Sequence, residues 1–136
     1  MEDFVSFDLA KKLKEKGFDE KCYTFYEYDS KEFYREESIP CCNSRSDDYA
    51  APTISQVLKW LREEKKIHIE PCILADCDTD ADGKIITYYT YWSFSITSIE
   101  SGDMIYFEYE HVNDRKFDSF EYAALAGLKY ALDNLI

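Results

Sequence analysis

Acidic side chains alternate along the segment DTDADGK, which has the residue types and spacing of the first half of a calcium-binding loop. Asp78, Asp80 and Asp82 fit the first, third and fifth positions of an EF-hand loop, and Gly83 fits the sixth. The twelfth position, where a bidentate Glu completes the calcium shell, is Tyr89. Asp82 and Gly83 between alternating apolar runs instead predict a hairpin turn, because Gly accepts the positive φ that such turns require. We expect no bound metal, with weak calcium binding through the three aspartates as the alternative.

Thiols and imidazoles form the second set of possible metal ligands. The chain has five cysteines and two histidines, at positions Cys22, Cys41, Cys42, Cys72, Cys77, His68 and His111. Cys72 and Cys77 are four residues apart and do not form the C-x2-C pair on which zinc knuckles depend. An odd number of cysteines with a vicinal pair is also a poor basis for a secreted disulfide framework. We predict free thiols and no cofactor, and a redox or metal role for Cys41 and Cys42 is left open.

Catalytic motifs are missing from the sequence. It contains no G-x-S-x-G, no P-loop and no H-E-x-x-H. Cys41 or Cys42 could be combined with His111 as nucleophile and base, but five cysteines and two histidines produce such pairs by chance. We therefore predict that the protein is not an enzyme, and we assign no catalytic residue.

The charge of the chain restricts its partners. It has 28 acidic against 16 basic residues and a net charge of −12, so a nucleic acid backbone would be repelled. We expect no direct contact with nucleic acid. One alternative is an acidic inhibitor that imitates DNA toward a nucleic-acid-binding enzyme. The opening segment MEDFVSFDLAKKLKEKG resembles no secretory signal, and no stretch approaches the roughly 18 apolar residues of a membrane span, which predicts a cytoplasmic protein without membrane contact.

Two helices can be placed in the first half of the chain. Ser6 and Gly17 are typical of the beginning and end of a helix over about 7–16. Thr53 and Gln56 form a capping box for a second helix. Its predicted buried stripe is Ile54, Val57, Leu58 and Leu61, with Trp60 at the border. The segments KCYTFYEY and KEFYREES, which lie between the two helices, predict a hairpin, and a long mobile loop follows at about 38–51.

Three strands and a final helix are predicted in the second half. The segments IHIEPCIL, IITYYTYWSFSIT and MIYFEYEHV alternate with a period of two, and short connections favour an antiparallel meander. Pro71 indicates an edge strand or a bulge. Asp118 and Glu121 predict the cap of a last helix, and Gly127 within it predicts a close approach to the sheet. The predicted core comprises Leu58, Leu61, Trp92, Phe94, Phe107, Leu128 and Leu132.

These elements predict one α+β domain over residues 1–136. Their order is α-β-(β)-α-β-β-β-α, with an antiparallel sheet of three to five strands packed on helices in two layers. Tyr89, Tyr91 and Tyr106 are predicted on the sheet face opposite the core. Tyrosine is favoured at interfaces because it buries a large area at a small entropic cost, so these three residues are the candidate interface.

Two segments support a resemblance that covers most of the chain after Ala51. APTISQVLKWLREEKKIHIEP and FDSFEYAALAGLKYALDNLI resemble small uncharacterised proteins encoded by phages and mobile elements of gut Bacteroidetes. The resemblance implies an accessory protein of bacterial or phage origin and assigns no functional residue. We therefore expect a small acidic accessory or binding module that acts through protein–protein contacts, with a homodimer possible.

Overall fold

The computed structural model describes residues 3–108 and 117–136, and it confirms the α+β class. Within these residues, two three-stranded antiparallel sheets accompany three helices. His111 lies outside the described residues. Among those residues, no helix combines the length and the apolar character that crossing a membrane requires. The elements in chain order are α1 Phe7–Glu15, β1 Thr24–Tyr26, β2 Phe33–Arg35, a 3-10 turn Asn43–Arg45, β3 Tyr49–Ala50, α2 Ile54–Glu64, β4 Ile67–Thr79, β5 Ile85–Ser98, β6 Met104–Phe107 and α3 Phe120–Asn134.

Internal contacts divide the chain into two compact units. The first comprises Met1–Lys65 with Lys129–Ile136, and the second comprises Lys66–Leu128. The first unit contains the sheet β2-β1-β3, and the second contains the sheet β4-β5-β6. The strands predicted for a single sheet are therefore divided between two.

The helices of the first unit begin where the sequence predicts. The Ser6 hydroxyl accepts a hydrogen bond from the Leu9 N–H, and α1 is followed by Gly17 at φ +91°. Both hydrogen bonds of the Thr53–Gln56 capping box are formed at the start of α2. The predicted stripe of α2 requires a correction, because Trp60 is buried and packs edge-on against Phe18, with ring centroids 5.4 Å apart.

Two side chains anchor the long segment 38–51, which contains a 3-10 turn and β3. Buried Asn43 donates from Nδ2 to the Phe18 carbonyl (2.8 Å), and its Oδ1 accepts from the Ala50 N–H (2.9 Å). Lys14 Nζ donates to the carbonyls of Ser46 and Asp48. These bonds place β3 beside β1, with Phe25 opposite Ala50.

The second unit is built on a long hairpin. β4 and β5 pair from Ile67 opposite Ser98 to Thr79 opposite Ile85, with an irregularity between Asp78 and Thr79. β6 is much shorter and pairs only along Ser95–Thr97 of β5. The end of the hairpin that lies away from its turn contributes Ile69, Phe94 and Ile96 to the core.

The first part of α3 packs on the core face of this sheet. A Cβ atom at Gly127 would lie 2.6 Å from Cγ2 of Ile69, which confirms the predicted close approach. The predicted cap is wrong by one residue, because the Ser119 hydroxyl, and not Asp118, accepts from the Tyr122 N–H (3.2 Å).

Part of the predicted core is less buried than expected. Leu61, Phe94, Leu128 and Leu132 are buried, whereas Leu58, Trp92 and Phe107 are only half-buried. Periodicity identifies the apolar face of an element, but whether another element covers that face depends on the tertiary structure.

Candidate functional site

The β4–β5 hairpin continues well beyond the three-stranded part of its sheet. β6 reaches no further along β5 than Ser95, and an isolated bridge joins Trp92 to Phe117. Between Trp92 and the turn of the hairpin, β4 and β5 pair only with each other among the strands of the described residues. We call this two-stranded part of the hairpin the ribbon, and its side chains project from two opposite faces.

The apolar face of the core extends along this ribbon. Ile69 and Phe94 are buried, and the cross-strand pairs Ile73–Trp92, Ala75–Thr90 and Cys77–Tyr88 continue the same face. We call the six residues of these three pairs the hairpin face. Ile73 is 58% exposed and Tyr88 is 73% exposed. The alternation of the sequence predicts that Ile73 and Tyr88 are buried, and this prediction is wrong because both side chains are exposed.

A cavity lies at the base of the hairpin face. It has a volume of about 320 Å³ and is lined by Ile73, Thr90, Tyr91, Trp92, Phe117 and Asp118. Backbone hydrogen bonds of 3.1 and 3.2 Å between Trp92 and Phe117 fix one wall. The Trp92 ring also packs edge-on against Phe120, at 5.7 Å between centroids. The hairpin face therefore combines exposed side chains with a fixed concave site.

The outer edge of β4 is poorly suited to pairing with another strand. The Phe94 carbonyl accepts a hydrogen bond from the Glu108 N–H, so the polar backbone groups of Phe94 point away from β4. Pro71 lies opposite Phe94, and its backbone groups therefore point to the outer edge of β4. Proline has no N–H to offer there. The Cys77 N–H is bonded to Oδ1 of Asp76 at 2.8 Å. Devices of this kind protect edge strands from association.

The acidic segment forms the turn of the hairpin, as the sequence predicts. Oδ1 of Asp80 accepts from the N–H groups of Asp82 and Lys84, both at 2.9 Å, and Gly83 has φ +83°. One aspartate of the candidate calcium set thus binds the backbone of its own turn. Among the described residues, no group of three or more His, Cys, Asp or Glu side chains could hold a metal ion. The prediction about calcium stays a prediction.

Acidic residues dominate the hairpin. Between Glu70 and Trp92 there are five acidic residues and one lysine, a net charge of −4. Asp78, Asp80 and Asp82 are exposed. The hairpin therefore combines an apolar face with an acidic tip.

The structure separates the three tyrosines of the predicted interface. Tyr89 and Tyr91 lie on the ribbon face opposite the hairpin face, with ring centroids 6.3 Å apart. Tyr106 pairs with Ile96 and its ring packs 5.8 Å from Phe94, so it belongs to the core side. The face predicted for Tyr106 is wrong because the register shifts between Ile96 and Thr97, and a one-residue shift reverses the faces. The interface role of the three tyrosines stays a prediction.

The five cysteines are free, and burial works against the activation of three of them. Burial raises the pKa of Cys22 to about 12 and raises the pKa values of Cys41 and Cys72. Nucleophilic cysteines need the opposite shift, since the thiolate is the reactive form. Cys72 and Cys77 project from opposite faces of β4, because they are an odd number of residues apart.

No protein-family model matches the chain, and comparisons with curated proteins and with solved structures give no match either. The site must therefore be interpreted from its own geometry.

Sequence reasoning missed the exposed residues Ile73, Ile86 and Tyr88, of which Ile86 lies beside the irregular end of the hairpin. The available signal was the length of the predicted strand IITYYTYWSFSIT, which has 13 residues, whereas strands in globular proteins usually have three to ten. In the structure β4 has 13 residues and β5 has 14. Strands of this length extend past the helix that covers them.

Proposed function

We propose that the protein is a binding module and that the hairpin face is its binding surface. The observation that supports this most directly is the exposure of Ile73 and Tyr88 on a face that continues the apolar core. Isolated exposed apolar residues need no explanation, but a continuous apolar face beside a cavity marks an interaction site.

The partner that fits this surface is a protein with an apolar segment flanked by lysines or arginines. The apolar segment would bury Ile73, Tyr88 and the cavity beside Trp92. The basic flanks would lie near Asp78, Asp80 and Asp82, whose charge also repels a second copy of the tip. Complementary charge of this kind mainly increases the association rate and the specificity.

Binding would use the face of the hairpin and not the outer edge of β4. A strand added to that edge would meet Pro71, which donates no hydrogen bond, and Cys77, whose N–H is already bonded to Asp76. Side-chain contacts on the hairpin face meet no such obstacle.

A DNA-mimicking inhibitor is the second candidate. Its support is the acidic character of the hairpin, which has five acidic residues and one lysine between Glu70 and Trp92, with Asp78, Asp80 and Asp82 exposed. A mimic would bind through carboxylates alone, and its affinity would fall steeply with salt concentration.

Site-specific photo-crosslinking in the native host tests the proposal. A photoreactive phenylalanine analogue at position 88 should capture a protein through an apolar segment with basic flanks. The double variant Ile73→Thr/Tyr88→Thr should reduce binding of the identified partner by at least about tenfold, because truncated central apolar contacts typically cost 1 to 2 kcal/mol or more.

The double variant Ile99→Thr/Tyr122→Gln is the matched control, since it changes an exposed isoleucine and an exposed tyrosine away from the hairpin face. It should bind like the parent protein. Equal binding by both double variants would contradict the proposal. Binding that survives Ile73→Thr/Tyr88→Thr but is lost when Asp76, Asp78, Asp80 and Asp82 become asparagine would favour the mimic.

A further inference from the structure

We infer that Cys22 and Cys41 are a thiol pair that forms a disulfide under oxidation. The two residues lie directly opposite each other in an antiparallel bridge. The Cys22 N–H donates to the Cys41 carbonyl (3.0 Å), and the Cys41 N–H donates to the Cys22 carbonyl (2.7 Å). Mutual bonding of this kind fixes the register of the pair.

The Cα separation of this arrangement suits a disulfide, and the bond forms when the Cβ atoms, which lie farther apart in a hydrogen-bonded pair than in a non-hydrogen-bonded one, approach to about 3.5–4.5 Å. Residues that exchange both hydrogen bonds in an antiparallel pair have Cα atoms about 5.5 Å apart, which lies within the usual range for disulfide-bonded cysteines. Their side chains project to the same face. Cys22 is 3% exposed and Cys41 is 8% exposed, so both residues are buried.

The other cysteines lack this geometry. Cys42 follows Cys41 in extended backbone, at φ −120° and ψ 128°, so its side chain projects to the opposite side. Cys72 and Cys77 lie on opposite faces of β4. The bridge alone selects one pair from five thiols.

Two cavities border the pair, and an oxidant would have to reach the sulfurs through them. Cys22 lines a cavity of about 580 Å³, and Cys41 lines another of about 510 Å³. Lys21, the residue before Cys22, lines both cavities.

A low-molecular-weight disulfide is a sufficient oxidant. The Cys41 thiolate attacks one sulfur of the reagent, a mixed disulfide forms, and one thiol is released. The Cys22 thiolate then attacks the Cys41 sulfur, and the second thiol leaves. Two cysteine thiols are oxidised, one reagent disulfide is reduced, and two thiols are produced. Because burial raises both pKa values, exchange is slow at neutral pH and accelerates with increasing pH.

The disulfide would close a loop that contains the hairpin of β1 and β2. Cross-linking residues in native contact restricts the unfolded chain and stabilises the folded state. Oxidation would thus make the first unit more resistant to unfolding without changing the register of its strands.

The experiment uses the full chain and oxidised glutathione at pH 8.5. After the free thiols are alkylated, trypsin should release the peptide 22–31 linked to the peptide 36–45, with fragmentation assigning the bond to Cys41. Cys42→Ser should retain the link, and Cys41→Ser should lose it. The melting temperature should rise by at least about 5 °C and return to its starting value with reductant.

Mapping the unsubstituted chain keeps the inference testable if a variant fails to fold. Predominant bonding through Cys42, Cys72 or Cys77 in the folded protein would contradict it. So would full alkylation of Cys22 and Cys41 after oxidation under conditions in which circular dichroism shows a folded chain. A Cys22–Cys41 link that lowers the melting temperature would refute the stabilising role.

Discussion

A Cβ atom placed on Gly127 would lie 3.0 Å from Cδ2 of Phe94, so α3 approaches the sheet as closely as a residue without a side chain allows. The same atom would lie 2.6 Å from Cγ2 of Ile69. Ile69 cannot easily yield, because that methyl is attached to a β-branched carbon and its rotamers are restricted. Glycine here provides space and not a special backbone conformation.

We predict that Gly127→Ala destabilises the protein although alanine favours helix. The substitution gains about 1 kcal/mol of helix propensity, but overpacking against Ile69 and Phe94 costs about 1 to 3 kcal/mol. Urea unfolding should show a net loss of up to about 2 kcal/mol. Lys129→Ala, an exposed change on the same helix, should stay within about 0.5 kcal/mol. A net gain of about 1 kcal/mol for Gly127→Ala would show that the contact is looser.

Removing the Asn43 amide should release the segment 38–51. Asn43→Ala leaves the Phe18 carbonyl and the Ala50 N–H without their partner, and each buried unpaired group costs about 1 to 3 kcal/mol. The expected total is about 2 to 4 kcal/mol in chemical denaturation. Asp47→Asn, an exposed change in the same segment, is the control. Amide exchange at Ala50 tests the predicted mobility, and rapid exchange in the unsubstituted chain would show that the anchor does not hold.

Calcium titration should show no site tighter than about 1 mM, the weak end of the range for extracellular modules. The reason is that Asp80 already accepts two backbone N–H groups of the turn, and Tyr89 stands where the closing Glu would be. Isothermal titration calorimetry provides the measurement. Micromolar binding that disappears in Asp78→Ala would overturn this prediction and make the turn a functional site.

Cys22 should make the protein less stable in alkaline solution. Its pKa rises from 9.0 to about 12, chiefly because burial disfavours the thiolate. Since the folded-state value is the higher one, this contribution is complete below pH 9 and is lost as the pH rises toward 12. Under reducing conditions, the free energy of unfolding should fall by up to about 1.4 kcal/mol per pH unit more than in Cys22→Ala. Parallel pH profiles for the two proteins would contradict the assignment.

Local sequence determined the elements whose signals lie within a few residues. Ser6 and the Thr53–Gln56 box fix the starts of α1 and α2 through hydrogen bonds to neighbouring N–H groups. The turn at Asp82 and Gly83 depends equally on local backbone conformation. Gly127 was predictable because glycine within a helix is unfavourable unless something approaches it closely.

Tertiary structure decided which faces are covered and which residues meet. Alternation along β4 and β5 identified one apolar face, but only the positions of β6 and α3 show that Phe94 is buried while Tyr88 is exposed. The division of the strands between two sheets has the same origin.

Two positions illustrate the remaining limit of the sequence. Tyr106 changed faces because of a register shift in its pairing with β5, and Cys22 meets Cys41 in an isolated bridge between segments that are distant in the chain. A period of two defines the two faces of a strand, but the partner opposite each residue is chosen by long-range pairing. The sequence by itself therefore determined the class of the fold and the starts of α1 and α2. The hairpin face and the thiol pair required the tertiary structure, because both depend on contacts between residues distant in the chain.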